Sequence, residues 1–262
     1  MSIPLLQIDA FTDRPFAGNP AAVALLDAPA DESWMQSVAA EMNLAETAFV
    51  VRRGEGSHGL RWFSPRVEIP LCGHATLASA HALWSEGHDG SDVLSFDTMS
   101  GELLARRVDG GIELDFPART TAEADLPDGL VDALGVTAVR TALAEDGYQV
   151  VEVATAAEVR AMAPDLAALE PLSPHAAIVT APGDGDAAVV SRVFGPAVGI
   201  PEDPVTGSAH CVLATYWADR CGPSFLAEQA SPRGGFLRVT LDGDRVRLAG
   251  TAVTVLRGEL TC

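Results

Sequence analysis

Short stretches of alternating apolar and polar residues dominate this chain, and helical periodicity interrupts them at a few places. Pro4 to Ala10 reads as a strand, with Leu5-Leu6-Gln7-Ile8-Asp9-Ala10. A turn at Phe16-Ala17-Gly18-Asn19-Pro20 leads into a second strand, Ala21 to Leu26. Asp31 to Met42 predicts a helix, with Asp31 as its N-cap. Glu46 to Val51 is a strand expected to pair, across a glycine-rich loop, with Leu60 to Phe63. Two Ala-rich segments, about 74–84 and 208–219, are apolar almost all round, which is the signature of a buried helix. Gly222-Pro223 stops the second. Asp-Gly steps at Asp109-Gly110 and Asp242-Gly243, flanked by alternating apolar residues, predict hairpins.

These elements occur twice. Phe63-Ser64-Pro65-Arg66-Val67-Glu68-Ile69-Pro70 returns as Phe194-Gly195-Pro196-Ala197-Val198-Gly199-Ile200-Pro201, half of the 262-residue chain later. Each copy enters its helix through a glycine step, Cys72-Gly73-His74-Ala75 or Thr206-Gly207-Ser208-Ala209. The second copy carries an insertion, Glu202-Asp203-Pro204, just before that step. The repeat predicts an α+β fold of two pseudo-symmetric domains. Each is a curved, barrel-like, mostly antiparallel sheet around a central helix. The expected halves are 1–119 and 120–262, with an active-site cleft between them and a linker over 120–130.

Composition narrows the function. The net charge is −19, and all 17 basic residues are arginine. A positive stripe for nucleic acid is absent from the pattern. Without lysine there is no Schiff base and no Walker A lysine. Gly54-Glu55-Gly56-Ser57-His58-Gly59 fits a dinucleotide fingerprint, but a strand follows it rather than a helix, so it reads as a loop. Four cysteines and six histidines show no zinc-type spacing, so no metal and no cofactor are expected. No apolar run reaches the ~18 residues of a membrane span, and the first residues show no signal-peptide pattern. A cytoplasmic protein with no membrane or nucleic-acid partner is the expectation.

Candidate chemistry gathers at the glycine steps. Helix N-termini offer unpaired N–H groups and a partial positive charge, so the amides at Gly73, Ala75 and Gly207 are expected to hold a substrate carboxylate. Glu46 precedes an apolar strand, and a carboxyl among apolar neighbours is suited to proton transfer. Asp203 lies in the insertion that breaks the repeat. His74 and Ser208 occupy matching places in the two helices. Cys72 stands before one glycine and Thr206 before the other, and a threonine hydroxyl cannot replace a thiol as acid and base.

In combination these motifs resemble the PhzF-type family of phenazine-biosynthesis isomerases. The matching residues are Ile8-Asp9-Ala10-Phe11 with Gly18-Asn19-Pro20, Asn43-Leu44-Ala45-Glu46-Thr47, Phe63-x-Pro65 with Gly73-His74, and Gly199 to Ala209. The resemblance covers essentially the whole chain. It implies a diaminopimelate-epimerase-like fold and a cofactor-free proton-transfer enzyme, commonly a homodimer, acting on a small carboxylated substrate. It further implies that Glu46 shuttles the proton, with His74, Asp203 and Ser208 as polar partners and Asn19 at the substrate. Leu71-Cys72 departs from the Phe-Ala expected of the phenazine enzyme, so the substrate stays open. A one-thiol dehydratase or epimerase of a cyclic amino acid using Cys72, and a non-catalytic carboxylate-binding protein, are the alternatives.

Overall fold

The computed structural model describes residues 2–261; Cys262 lies outside them. The chain divides into two compact units. One runs to Asp115 and is rejoined from Ala249 onward; the other spans Phe116–Leu248. The expected halves 1–119 and 120–262 are corrected accordingly. The reason lies in the last strand, Ala252–Leu260, which pairs antiparallel along the whole first strand from Ile3↔Leu260 to Ala10↔Ala252. Its backbone hydrogen bonds are therefore satisfied in the first unit. The expected linker over 120–130 is corrected too, because Thr121–Glu123 pairs with Ala142–Ala144 inside the second unit.

The first unit contains β1 (Ile3–Ala10), β2 (Asn19–Leu26), α1 (Glu32–Met42), β3 (Glu46–Gly54), β4 (Ser57–Phe63), β5 (Glu68–Ile69), α2 (Gly73–Ser85), β6 (Val93–Thr98), β7 (Gly101–Val108) and β8 (Gly111–Pro117). Its sheet runs from the C-terminal strand through β1, β2, β3, β4, β6 and β7 to β8, with β5 added to the end of β4. The β2–β3 and β4–β6 pairs are parallel and the others antiparallel. β2 is apolar on both faces because both are covered. Ala22, Ala24 and Leu26 join Met35, Val38 and Ala39 of α1 in one core, while α2 packs against β1, β2, β3 and β7. Nine residues of α2 are buried, polar Thr76 and Ser79 among them. Their hydroxyls donate to the carbonyls of Cys72 and Ala75 one turn back, so neither is left unsatisfied.

The second unit repeats this order. It contains β9 (Thr121–Glu123), α3 (Leu130–Leu134), β10 (Arg140–Ala144), β11 (Gln149–Glu152), α4 (Ala156–Ala161), α5 (Leu166–Leu169), β12 (Ala177–Pro182), β13 (Val189–Gly195), β14 (Ile200–Asp203), α6 (Gly207–Cys221), β15 (Ser224–Gln229), β16 (Gly235–Asp242) and β17 (Arg245–Gly250). β9 pairs with β10 as the C-terminal strand pairs with β1. The parallel steps again fall at the third and fifth pairings, β11–β12 and β13–β15. Three short helices cover the face that α1 covers in the first unit, packing Leu130, Leu134, Val159 and Leu169 onto Val151, Val179 and Phe194. The two central helices begin at Gly73 and Gly207, close to the starts expected from the sequence. Asp31 sits at the N-cap of α1 as expected, but its side chain makes no capping bond.

Candidate active site

In the first unit, local chain geometry brings Asn19 and Glu46 to the start of α2, beside Cys72 and His74. After α1 the chain reverses at Asn43, which adopts the left-handed conformation that asparagine tolerates, and enters β3 at Glu46. Gly18 is also left-handed (φ 63°), and any Cβ there would run into the Ala10 carbonyl, so glycine is required where the chain turns into Asn19. The N-cap of α2 is Cys72. Glu46, Asn19, Cys72 and His74 are all buried.

His74 is the centre of this cluster. Its Nε2 lies 3.1 Å from Glu46 Oε2. Its Nδ1 lies 3.2 Å from Asn19 Nδ2 and 3.6 Å from Cys72 Sγ. In the neutral ring, Nδ1 accepts from the Asn19 amide nitrogen and the proton sits on Nε2, the edge facing Glu46. The Nε2–Oε2 contact is close but poorly directed, and neither atom has a hydrogen-bond partner. Both keep a direction open for a bound molecule. Burial works against a charge on His74, but its charged neighbours, the Glu46 carboxylate among them, outweigh it and hold the imidazole above its usual value. Burial, then the Glu46 charge, pushes the Cys72 thiol up, against the pull of His74 and the Ala75 amide. At neutral pH the sulfur therefore keeps its proton.

Glu46, Cys72 and His74 offer donor atoms all within 4.8 Å of one another, so they could also hold a metal ion. Sequence spacing hides this cluster because Glu46 comes from a different strand. Gly73 and Ala75 belong to the first turn of α2, whose N–H groups have no partner four residues back.

In the second unit the corresponding helix start is built differently. Thr206 takes the N-cap position of α6, and its hydroxyl donates to Asp203 Oδ2 at 2.5 Å. Asp203 ends β14, so the three-residue insertion carries a carboxylate to the helix start. Ser208 does not cap. It is exposed in the first turn after Gly207, with its Oγ 2.7 Å from the Tyr148 hydroxyl. Burial pushes the Tyr148 phenol up, so it stays protonated. His210, fully buried, donates from Nδ1 to the Thr206 carbonyl at 2.8 Å. Tyr148 and Gln229, whose amide binds the Asp203–Thr206 segment, were not picked out by sequence motifs. Gln229 carries no sequence signal; strand pairing alone makes it equivalent to Thr98, each ending its strand opposite a glycine.

Comparison with known proteins fits this arrangement. The family description "Phenazine biosynthesis-like protein" matches residues 8–258. The chain belongs to the PhzF-type, phenazine biosynthesis-like family. A Pseudomonas aeruginosa relative named an uncharacterized isomerase is 48% identical over 261 residues, covering 99% of each chain. A solved PhzF family protein of Enterococcus faecalis is 39% identical over the full length of both chains, with a TM-score of 0.95. A hydroxyproline epimerase from Agrobacterium vitis is 13% identical, covers 99% of this chain and 92% of its own, and has a TM-score of 0.65. That last likeness is one of fold, and it agrees with the diaminopimelate-epimerase-like architecture that the resemblance implies. As a member of this family the protein is an isomerase. Among the described residues no helix is long and apolar enough to cross a membrane.

Proposed function

We propose that the protein is a cofactor-independent isomerase that moves a proton between carbons of a small carboxylated substrate, with Glu46 as the general acid/base. The observation that carries this reading is the buried Glu46–His74 pair, in which Oε2 and Nε2 each lack a hydrogen-bond partner. A buried carboxylate with an unfilled acceptor site is equipped to take a proton from carbon. His74 on its flank stabilises the ionised form before transfer and the returning proton afterwards. The first turn of α2 supplies backbone N–H donors for the substrate carboxylate in a chain that has no lysine. Asp203 and Ser208 act as further polar partners, each held by a neighbouring hydroxyl.

A second reading is favoured by one contact, Cys72 Sγ to His74 Nδ1 at 3.6 Å. A thiol against an imidazole that is itself held by a carboxylate has the arrangement of an activated nucleophile or base. In that case Cys72 carries the proton and Glu46 orients His74.

Incubating the enzyme in heavy water with carboxylated cyclic dienes and cyclic amino acids tests both readings. Glu46→Gln abolishes substrate-dependent deuterium incorporation if Glu46 carries the proton. Retained exchange in that variant, with loss in Cys72→Ala, moves the reaction to the thiol.

A further inference from the structure

The two halves of the repeat diverge sharply at one residue outside the sequence motifs. Thr98 is the last residue of β6 and pairs with Gly101; Gln229 is the last residue of β15 and pairs with Gly235. The two positions are therefore equivalent. Just beyond them, Ser100 and Ser231 do the same job: each hydroxyl donates to a proline carbonyl ahead of the helix, Pro70 at 2.7 Å and Pro204 at 2.8 Å. Thr98, by contrast, turns its hydroxyl back onto Gly101. Gln229 is fully buried and reaches into the segment that carries the insertion.

There its amide makes three hydrogen bonds. Oε1 accepts from the Thr206 N–H at 2.8 Å. Nε2 donates to the Asp203 carbonyl at 2.6 Å and to Thr206 Oγ1 at 3.2 Å. The orientation of the amide is fixed, because a backbone N–H only donates and a carbonyl only accepts. With Nε2 donating to Oγ1, the Thr206 hydroxyl must direct its own proton elsewhere. It donates to Asp203 Oδ2.

We propose that Gln229 is a positioning residue that acts through Thr206 to fix the Asp203 carboxylate as a hydrogen-bond acceptor at the start of α6. This deepens the isomerase reading and rests on it only for the role of Asp203 in turnover. Among the described residues the first half shows no equivalent device: Cys72 stands at the N-cap and the Thr98 hydroxyl donates to the Gly101 carbonyl. Gln229 is thus a part of the structure that keeps the second half chemically different from the first.

The carboxyl titration of Asp203 tests the positioning without a substrate. It is followed by carbon-13 NMR of protein labelled at aspartate side chains and assigned with Asp203→Asn. In Gln229→Leu the Asp203 midpoint rises by about one pH unit, because the hydroxyl is freed from its forced direction. Thr206→Val gives the same rise, and adding Gln229→Leu to it gives no more. Turnover of whichever carboxylate exchanges deuterium in the heavy-water screen then falls at least 10-fold in kcat for Gln229→Leu, with a smaller change in KM. An unmoved Asp203 titration in Gln229→Leu, or additive effects with Thr206→Val, overturns the proposal. A shifted titration with unchanged turnover in Asp203→Asn leaves the positioning intact and overturns the role of Asp203 in the isomerase reading. Should Gln229→Leu fail to fold, Gln229→Glu serves instead. Its carboxylate cannot donate to Oγ1, draws the Thr206 hydroxyl proton to itself, and raises the Asp203 midpoint in the same direction.

Discussion

Glu46 Oε2 and His74 Nε2 lie 3.1 Å apart in a buried setting without a directed hydrogen bond between them. That geometry couples the two charges while leaving the carboxylate oxygen able to accept a proton from elsewhere. Removing the acid/base function but keeping the shape isolates this role. Glu46→Gln is expected to lower deuterium exchange by roughly 10²–10⁴-fold, the range of general acid–base contributions. Exchange within tenfold of the parent enzyme would remove Glu46 from the proton path.

Cys72 distinguishes the two mechanisms. Its thiol is pushed up by burial and by the Glu46 charge. The reactive species toward iodoacetamide is the thiolate, so labelling of Cys72 at pH 7 should be slow and should rise only in alkaline solution. Glu46→Gln removes a negative charge, and the onset of labelling should move to lower pH. Peptide mapping separates Cys72 from the other cysteines. Rapid labelling of the parent enzyme at pH 7 contradicts the protonated thiol. In turnover, Cys72→Ala should retain activity within tenfold, whereas a loss beyond ~100-fold, about 2.7 kcal/mol, makes the thiol the proton carrier.

Much of this arrangement is legible in the residues. The repeat around Phe63 and Phe194, the glycine steps and the Asp-Gly turns carry local information, and the two units do share one order of parallel and antiparallel pairings. Two features escape sequence reading for a physical reason. The return of Ala252–Leu260 to β1 is a long-range pairing that its own residues do not encode. Likewise spacing alone does not bring Cys72, His74 and Glu46 together, because a helix start meets a distant strand; the family resemblance is what joins Glu46 to His74 in the sequence. Gln229 joins them, since its equivalence to Thr98 shows only in the strand pairings.

The same cluster sets a test for metal dependence. Three donors within 4.8 Å could capture a cation, but a bound ion would take the lone pair that Glu46 needs for proton transfer. Dialysis against EDTA should therefore leave exchange activity unchanged. Inhibition by the chelator, reversed by one divalent metal, would replace the carboxylate mechanism with a metal-assisted one.

His210 predicts the acid stability of the second unit. It is fully buried, donates to the Thr206 carbonyl, and leaves Nε2 without a hydrogen-bond partner. Burial pulls its pKa from 6.5 down to about 4, against the weaker opposing effect of that hydrogen bond. Between these two values the unfolded chain binds more protons than the folded one, so stability falls as pH drops from 6.5 to 4. The loss from this group amounts to roughly 3 kcal/mol once pH is below 4. His58, also lowered by burial, acts in the same direction. Urea unfolding at pH 7, 5.5 and 4.5 measures the effect. His210→Gln keeps a donor for the Thr206 carbonyl but cannot be protonated, so its stability should fall less steeply over this range. Parallel pH dependence in the two proteins would show that His210 does not stay neutral in the fold.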